Sequence, residues 1–320
     1  MGSKNLMFLL EGKNLTKRYK NRARETDALR DISFYLKEKE FLGIVGESGS
    51  GKSTLLRLIA GLERPDSGVL TYRGDEYQHR KAGYAGQFLQ MIFQDAYGSF
   101  DPRLHMGDQM EEVRRKNSRN PKSDSGRNAG TLTENSGKPG TSAELRELPE
   151  RTEILTKSNE KPDTSAKLRE LPERTGILTK SNEKPGTSAE LRELLRETLL
   201  DESLLKKRPR ELSGGQCQRM SIVRALYSGA EIILCDEMTN ALDVTAQAQI
   251  VRIFGRLREI RSFSSIVVSH DIALVYAMCD RIMVMKDGRI VEEGKTSEVI
   301  RNPKDEYTKQ LIMSAREQGL

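Results

Sequence analysis

Short apolar runs alternate with longer helix-like segments through most of the chain. Compact apolar runs predict buried strands, and apolar residues recurring every three to four positions predict helices. The predicted strands are residues 9–19, 29–36, 41–45, 69–72, 91–95, 232–237, 265–269, 281–285 and 289–292. The predicted helices are residues 55–60, 107–115, 191–205, 217–227, 244–261 and 306–315, and the predicted loops include 21–26 and 97–102. This alternation favours a doubly wound α/β fold, with a mostly parallel sheet and chemistry at the carboxyl ends of its strands.

The pattern breaks in the middle of the chain, at about residues 116–188. A polar stretch rich in Ser, Asn and Gly is followed by a tandem repeat with a period of 23 residues: the copies are 138–160, 161–183 and a third that stops after 194. Such a period is typical of solenoid proteins. Each unit has only four Leu or Ile residues, however, and Pro149 and Pro172 limit any helix to about two turns. We therefore expect a mobile polar insertion, with a partner-binding or regulatory segment as the alternative.

Composition narrows the class of protein. The 320 residues include 53 Lys and Arg against 47 Asp and Glu, a net charge of +6 that is mixed along the chain, so no nucleic-acid partner is expected. Three widely spaced cysteines (Cys217, Cys235 and Cys279) are predicted to be reduced thiols in the cytoplasm. No apolar run approaches the roughly 18–20 residues that span a bilayer, so we expect any membrane role to come through a partner.

The segment from Gly46 to Thr54 fits the phosphate-binding loop pattern G-x-x-x-x-G-K-[ST], with a strand before it and a helix after it. Its glycines let backbone N–H groups point at phosphate oxygens, and the helix adds its positive end. Lys52 is predicted to reach the β- and γ-phosphates of a nucleotide, and Ser53 to offer its hydroxyl to Mg²⁺. The predicted nucleotide contacts are Gly46, Ser48, Gly49, Ser50, Gly51, Lys52, Ser53 and Thr54. The alternative is a glycine-rich turn that matches by chance.

Two further groups of residues suit phosphate chemistry. Asp236 and Glu237 end an apolar strand, where one carboxylate can orient Mg²⁺ and the other can polarise an attacking water. The segment from Leu212 to Gln216 has two glycines at a predicted helix start, which would make a second anion-binding surface, although an ordinary helix cap has the same pattern. Tyr19 precedes the loop and is either a ring that stacks on a purine or a half-buried strand residue.

Taken in order, these motifs resemble the ATP-binding subunits of ABC transporters. Gln94 matches the Q-loop, Leu212 to Gln216 the signature, Asp236–Glu237 the Walker B end, Asn240 to Asp243 the D-loop, and His270 the switch histidine. The resemblance implies a P-loop NTPase (RecA-like) fold with a mostly parallel sheet, an antiparallel β subdomain and a helical subdomain. One ABC ATPase domain would fill residues 1–320, with residues 1–93 and 212–320 as the nucleotide-binding core and 94–211 as the helical subdomain carrying the insertion.

The resemblance also implies residue roles for ATP and Mg²⁺. Two such subunits face each other head to tail, and each ATP lies between one phosphate loop and the partner's signature. The catalytic residues would be Glu237 as general base, His270 at the γ-phosphate, Gln94 and Lys52. Ser53, Gln94 and Asp236 would hold the metal, Tyr19 would stack on adenine, and the remaining nucleotide contacts would be Ser213, Gly214, Gly215, Gln216 and Asp243.

Within that family, residues 94–103, 290–294, 302–303 and 307–308 resemble the peptide and nickel importers. The implied partners are membrane-spanning permease subunits, a second ABC ATPase subunit and, indirectly, a substrate-binding protein, with the chain peripheral on the cytoplasmic face of the membrane. Met238, Asn240 and Cys217 depart from the usual family residues without removing a catalytic group. A soluble ABC-type ATPase acting on nucleic acid or ribosomes, and a non-transporting relic that only binds ATP, are the alternatives.

Overall fold

The computed structural model describes residues 8–21, 24–77, 85–118, 188–240 and 242–317. Within these ranges the strands are β1 (Leu10–Asn21), β2 (Arg24–Leu36), β3 (Phe41–Val45), β4 (Ser67–Tyr72), β5 (Asp75–Glu76), β6 (Leu89–Ile92), β7 (Ile232–Asp236), β8 (Ser264–Val268), β9 (Arg281–Lys286) and β10 (Arg289–Lys295). The helices are α1 (Lys52–Ile59), α2 (Met106–Ser118), α3 (Ala189–Glu197), α4 (Gly214–Tyr227), α5 (Val244–Ile260), α6 (Ile272–Met278), α7 (Thr296–Arg301) and α8 (Glu306–Glu317).

Six strands form the central sheet in the order β10-β9-β3-β8-β7-β6. All neighbours pair in parallel except β10, which joins the edge antiparallel through its hairpin with β9. The predicted mostly parallel α/β sheet is confirmed. Because the carboxyl ends of parallel strands meet at one edge, the residues that follow β3, β6, β7 and β8 gather there.

Alternate residues of the central strands face two separate hydrophobic cores. In β3, Leu42 and Ile44 pack into the core that contains α1 and the second sheet, whereas Phe41 and Val45 face the core that contains α4 and α5. All four side chains are at most 1% exposed. A strand buried on both faces carries a continuous apolar run, which is why 41–45 reads as uniformly hydrophobic.

A separate antiparallel sheet has the order β2-β1-β4-β5. The predicted loop at 21–26 is wrong, because β1 continues to Asn21 and β2 begins at Arg24. One charge of that segment, on Glu25, and charges just outside it pair across the two strands. Arg18 Nε lies 2.8 Å from Asp27, and Lys20 Nζ lies 3.5 Å from Glu25. Opposite charges on facing positions stabilise a hairpin, so the polar sequence is compatible with strands.

The helices between the Q-loop and the signature differ in detail from the prediction. Helix α3 ends at Glu197, and Leu199 has a φ of 58°, so the predicted single helix over 191–205 is two elements, the second being a 3₁₀ turn at Glu202–Lys206. Residues 119–187, which hold the first two repeat copies, lie outside the described residues. The third copy enters the fold, because Ser188 accepts a hydrogen bond from Leu191 N and caps α3.

Several other boundaries shift. The strand predicted at 91–95 is β6 at Leu89–Ile92, and the predicted loop 97–102 begins with a 3₁₀ turn at Tyr97–Ser99. Helices α6 and α7 were not predicted. None of the helices in the described ranges is both long and apolar enough to cross a bilayer.

Candidate nucleotide-binding site

The predicted phosphate loop connects the end of β3 to the start of α1. Gly46, Gly49 and Gly51 have φ values of 152°, 83° and 104°, a region in which glycine is strongly favoured. A Cβ atom at Gly46 would lie 2.2 Å from the carbonyl oxygen of Met285, and one at Gly51 would lie 2.4 Å from that of Ala28. Gly51 caps α1 without a side-chain hydrogen bond. The N–H groups of the first helical turn are therefore left for an anion.

Lys52 is buried, and its side chain folds back over the loop. The Nζ atom donates hydrogen bonds to the carbonyl oxygens of Gly46 (2.7 Å) and Glu47 (2.8 Å). Burial lowers the pKa of Lys52, whereas the charges of Glu237, Asp236 and Glu47 act in the opposite direction. An ammonium that is held by neutral carbonyls, with no ion pair to any described residue, can exchange those carbonyls for phosphate oxygens, which are stronger acceptors. Beside it, Ser50 is buried, Thr54 half-buried, and Ser48 and Ser53 exposed.

Two adjacent carboxylates lie at the carboxyl end of β7. Asp236 pairs with Val268 of β8, and burial together with the neighbouring charge of Glu237 raises the pKa of Asp236. The charges of Arg57 and Lys52 act in the opposite direction. Glu237 leaves the strand with a φ of 47°, and its N–H donates to the carbonyl oxygen of Val268 at 3.0 Å. The pair is thus incompletely neutralised, a state that an added cation would relieve.

Glu237 is contacted from two sides. Asn240 Nδ2 donates a hydrogen bond to its Oε2 atom at 2.6 Å, and His270 Nδ1 lies 3.7 Å from its Oε1 atom. His270 follows β8, and 61% of its side chain is exposed. The backbone next to it is fixed, because Asp271 caps α6 by accepting from Ala273 N and Leu274 N. The histidine therefore projects from a rigid turn toward open space beside the carboxylate.

Tyr19 and Gln94 lie at other margins of the site. The hydroxyl of Tyr19 donates to Glu63 at 2.5 Å, and burial and that carboxylate raise the pKa of Tyr19, while a hydrogen bond with Thr54 lowers it. The contact with Thr54 places the ring beside the first turn of α1. Gln94 follows β6, the neighbour of β7, and is exposed.

The signature residues form an N-terminal cap on α4. Gln216 N donates to Ser213 Oγ at 3.3 Å, and Ser213 N donates to Gln216 Oε1 at 3.0 Å, a reciprocal capping box. Cβ atoms at Gly214 and Gly215 would meet Leu242 at 3.8 Å and Ala246 at 3.7 Å. Those are ordinary contact distances, so none of the described residues requires glycine at either position by its proximity.

The D-loop leads into α5. Asp243 is the N-cap of that helix and accepts from Ala246 N at 2.8 Å, while Ala241 lies outside the described residues. Because the Cβ directions of Gly214 and Gly215 point to Leu242 and Ala246, the signature lies against the start of α5. The candidate site residues that the structure describes therefore fall into two groups. One gathers the phosphate loop, Asp236, Glu237 and His270 at one sheet edge, and the other joins the signature to the start of α5. The D-loop links the two groups, because its first residue, Asn240, bonds Glu237.

Comparison with known proteins decides the family. The family model described as ABC transporter matches residues 29–240. The chain belongs to the ABC transporter family. Among its relatives is the oligopeptide transport ATP-binding protein OppF of Haemophilus influenzae, 32% identical over 288 residues, which are 89% of this chain and 68% of that protein. OppF of Streptococcus mutans is 30% identical over 98% of this chain and 84% of its own length.

A solved structure supports this family assignment. The dimeric, post-hydrolysis ATP-binding cassette MJ0796 bound to ADP and Pi has a TM-score of 0.58 and 26% identity to this ABC ATPase, covering 90% of this chain and 98% of its own. The expected P-loop NTPase fold, ATP as the nucleotide and ATPase activity follow from membership of this family. The resemblance stated from the motifs is confirmed.

The residues present also fit Mg²⁺. In the described part of the chain no three His, Cys, Asp or Glu side chains cluster into a metal site of their own. The oxygen atoms of Ser53, Asp236 and Gln94 are the hard ligands that Mg²⁺ prefers, and Mg²⁺ commonly takes one or two protein carboxylates together with phosphate oxygens. The site offers few protein ligands, and the charges of Asp236 and Glu237 are incompletely neutralised. Such a site suits a metal ion that binds together with the phosphates of the nucleotide.

The sequence did not identify two contacts of this ABC ATPase site. Asn240 stood out in the sequence as the first residue of the D-loop and as a departure from the family, but not as a contact of Glu237, whose Oε2 atom accepts from its amide. Tyr307 stood out only for its subfamily resemblance, yet its hydroxyl accepts a hydrogen bond from Glu47 N in the phosphate loop at 2.9 Å. The two residues in the second contact are 260 positions apart. No local pattern in the sequence reports a contact of that range.

Proposed function

We propose that this ABC ATPase is the energy-coupling subunit of an importer, with short peptides as its cargo. The relatives named above are oligopeptide transport proteins, and residues 94–103, 290–294, 302–303 and 307–308 resemble the peptide and nickel branch. A nickel chelate is the second candidate cargo, supported by those segments alone. The single observation that carries the ATP-hydrolysing part of this role is geometric: the phosphate loop with Lys52, the Asp236–Glu237 pair and His270 all follow strands at the same carboxyl edge of one sheet, and His270 Nδ1 lies 3.7 Å from Glu237 Oε1.

At this edge different residues of the chain bind ATP and take part in its hydrolysis. The N–H groups of the phosphate loop and the Lys52 ammonium bind the β- and γ-phosphates, and Tyr19 stacks on the adenine. Ser53, Asp236 and Gln94 would hold Mg²⁺, which would neutralise phosphate charge when bound. Glu237 takes the proton of the attacking water as general base, and His270 contacts the γ-phosphate. The exposure of Gln94 next to β6 also leaves it available to a membrane subunit.

One chain supplies half of each site. Ser213, Gly214, Gly215 and Gln216 present a helix N-terminus at which no described residue lies close enough to demand glycine. Glycine at these two positions therefore supports the close approach of a ligand from outside the chain, namely the ATP held on a second subunit, to the start of α4. Asp243, which orients the start of α5 beside the signature, belongs to the same surface. The proposed active unit is therefore a head-to-tail pair, either of two copies or with a second, similar ATPase.

The proposed assembly places the pair under membrane-spanning permease subunits, on the cytoplasmic face, with a substrate-binding protein acting indirectly. Within it, residues 1–93 and 212–320 form the nucleotide-binding core and 94–211 the helical subdomain. The alternatives, an ATPase acting on nucleic acid or ribosomes and an ATP-binding relic, lack a supporting observation in the described residues.

Reconstitution tests this proposal. The full chain would be purified with its membrane subunits, placed in lipid vesicles, and assayed for ATP hydrolysis with oligopeptides, with a nickel chelate, with RNA and with no addition. We expect oligopeptides, delivered by the binding protein, to stimulate hydrolysis. Stimulation by RNA but not by peptide would favour the soluble class, and stimulation by the nickel chelate alone would correct the cargo while keeping the importer.

A further inference from the structure

The C-terminal helix reaches the phosphate loop through one side chain. Tyr307, in the first turn of α8, is 6% exposed, and its hydroxyl accepts a hydrogen bond from the backbone N–H of Glu47 at 2.9 Å. The ring packs near Lys286, whose Nζ lies 4.7 Å from the ring centroid. The contact thus joins the last helix of the described chain to the loop that receives the nucleotide.

The same peptide group is held on its other side by Lys52. The N–H of Glu47 and the carbonyl of Gly46 belong to one planar trans peptide, so the two groups point in opposite directions. The carbonyl of Gly46 accepts from Lys52 Nζ at 2.7 Å. One peptide unit therefore lies between the Tyr307 hydroxyl and the Lys52 ammonium, and a rotation of that unit would break both bonds.

Tyr307 is itself rigidly placed. Asp305 accepts a hydrogen bond from the N–H of Tyr307 at 2.9 Å, and Glu292 of β10 accepts from the N–H groups of Lys304 and Asp305 at 2.9 Å and 3.0 Å. The start of α8 is therefore fixed to the edge strand of the central sheet. A donor or acceptor on such a support can hold a loop in one orientation.

We propose that Tyr307 is a positioning residue for ATP binding: it fixes the Gly46–Glu47 peptide and thereby the position of the Lys52 ammonium. The inference rests on the proposed role of Lys52 at the phosphates. A hydrogen bond on the N–H side of a peptide also strengthens its carbonyl as an acceptor, so the effect of Tyr307 passes through this peptide to Lys52.

Tyr307→Phe removes the hydroxyl and keeps the ring. We expect the KM for ATP to rise about three- to tenfold, with kcat changed less than about twofold, because one hydrogen bond that preorganises binding is lost. Tyr227→Phe is the matched control: it removes a tyrosine hydroxyl that bonds Ser188 Oγ at 2.8 Å, at the end of α4, and should leave the KM unchanged. A Tyr307→Phe variant with wild-type KM would contradict the proposal.

A double-mutant cycle separates positioning from general stabilisation. The dissociation constant of a fluorescent ATP analogue is measured for the wild type, Tyr307→Phe, Lys52→Ala and the double variant of the full chain. If Tyr307 acts through Lys52, the loss caused by Tyr307→Phe disappears once Lys52 is alanine. Additive losses would overturn the inference while leaving the site intact. An unchanged dissociation constant for Lys52→Ala would instead overturn the proposed site itself, and the inference with it.

Discussion

Asn240 Nδ2 donates a 2.6 Å hydrogen bond to Oε2 of Glu237 and also lies 3.4 Å from Nδ1 of His270. The amide therefore touches both residues that we assign to the γ-phosphate end of the site. Since Oε2 of Glu237 is engaged by Asn240, its Oε1 atom is the one that faces His270. Asn240 thus orients the proposed base, even though asparagine is a departure from the usual residue at this position.

We expect Asn240→Ala to lower kcat about three- to tenfold, because the carboxylate of Glu237 would lose the hydrogen bond that orients it. The KM for ATP should stay near the wild-type value, since Asn240 contacts the base and not the phosphate loop. Steady-state hydrolysis measures both constants. Asn302→Ala, at an exposed position after α7, is the control. A large KM increase with unchanged kcat would show that Asn240 acts on binding instead.

Glu237→Gln removes the proposed general base while keeping the side-chain shape. General-base catalysis typically contributes about 10²- to 10⁴-fold, so kcat should fall by at least about 10²-fold. ATP should still bind, and the paired subunits should stay closed around it in gel filtration with ATP. Glu259→Gln, an exposed carboxylate near the end of α5, serves as the control. Turnover at the wild-type rate would remove Glu237 from this role.

The raised pKa of Asp236 makes a prediction about stability and pH. Burial and Glu237 disfavour the charged carboxylate in the folded chain, so this group stabilises the fold least when it is ionised. Its contribution is fully present below the ordinary Asp value of 3.8 and is lost as the pH rises through the raised folded value. Asp236→Asn should therefore melt higher than the wild type at neutral pH.

The difference between Asp236→Asn and the wild type should shrink as the pH is lowered, because Asp236 then becomes neutral in both the folded and the unfolded chain. Thermal melts of the nucleotide-free chain from about pH 4 to pH 8 measure it. Asp75→Asn, an exposed carboxylate in β5, controls for loss of a surface charge. A melting temperature for Asp236→Asn that is lower at every pH would mean that neighbouring groups stabilise the ionised carboxylate, the reverse of the effect expected from burial.

The phosphate loop and the core strands could be predicted because their signals are local. Residues 41–45 are apolar on both faces, and Gly46 and Gly51 stand at the spacing that the phosphate-loop pattern demands. The same holds for α4, whose start is encoded by Ser213 and Gln216 as a capping box. These features depend on a few neighbouring residues, so a single sequence carries them.

Features that depend on distant residues could not be predicted. Helices α6 and α7 have seven and six residues, fewer than the turns over which helical periodicity becomes visible, although the N-cap Asp271 was a usable signal for α6. The strand ends at Asn21 and Arg24 were obscured because charged residues around them, such as Lys20 and Glu25, pair across β1 and β2. The contacts of Glu237 with Asn240, and of Glu47 with Tyr307, depend on a backbone turn and on a packed helix.

The three cysteines should be unreactive in the folded chain. Cys217, Cys235 and Cys279 are all fully buried, and burial raises the pKa of Cys217 and of Cys235 to about 12. Because the thiolate is the nucleophile, alkylation should be negligible near neutral pH. Mass spectrometry after iodoacetamide should find no adduct on the native chain and three on the denatured chain. Rapid labelling of Cys217 in the native chain would show that the start of α4 opens.

The end of the repeat array contributes to the fold through Ser188. Residues 188–194 repeat residues 142–148 letter for letter, but the next residue is Leu195, which is 1% exposed in the core, where the first two copies have Pro149 and Pro172. Proline in that place would remove a helical hydrogen bond and the buried leucine. The copy that forms α3 is therefore the one that can continue as a helix.

Deleting 138–183, two whole repeat units, should leave ATP hydrolysis by the assembled transporter within about twofold of the wild type. The connection between Ser118 and Ser188 shortens from 69 to 23 residues. Closing a loop that is threefold shorter costs about 1 kcal/mol less in chain entropy.

Deleting 116–188 instead removes Ser188 and the end of α2. That variant should be less stable than the first by about 1 kcal/mol or more, the usual effect of losing an N-cap. Urea unfolding measures the difference, and Ser188→Ala in the full chain isolates the cap. Loss of hydrolysis in the 138–183 deletion would mean that the repeats act in coupling and are more than a tolerated insertion.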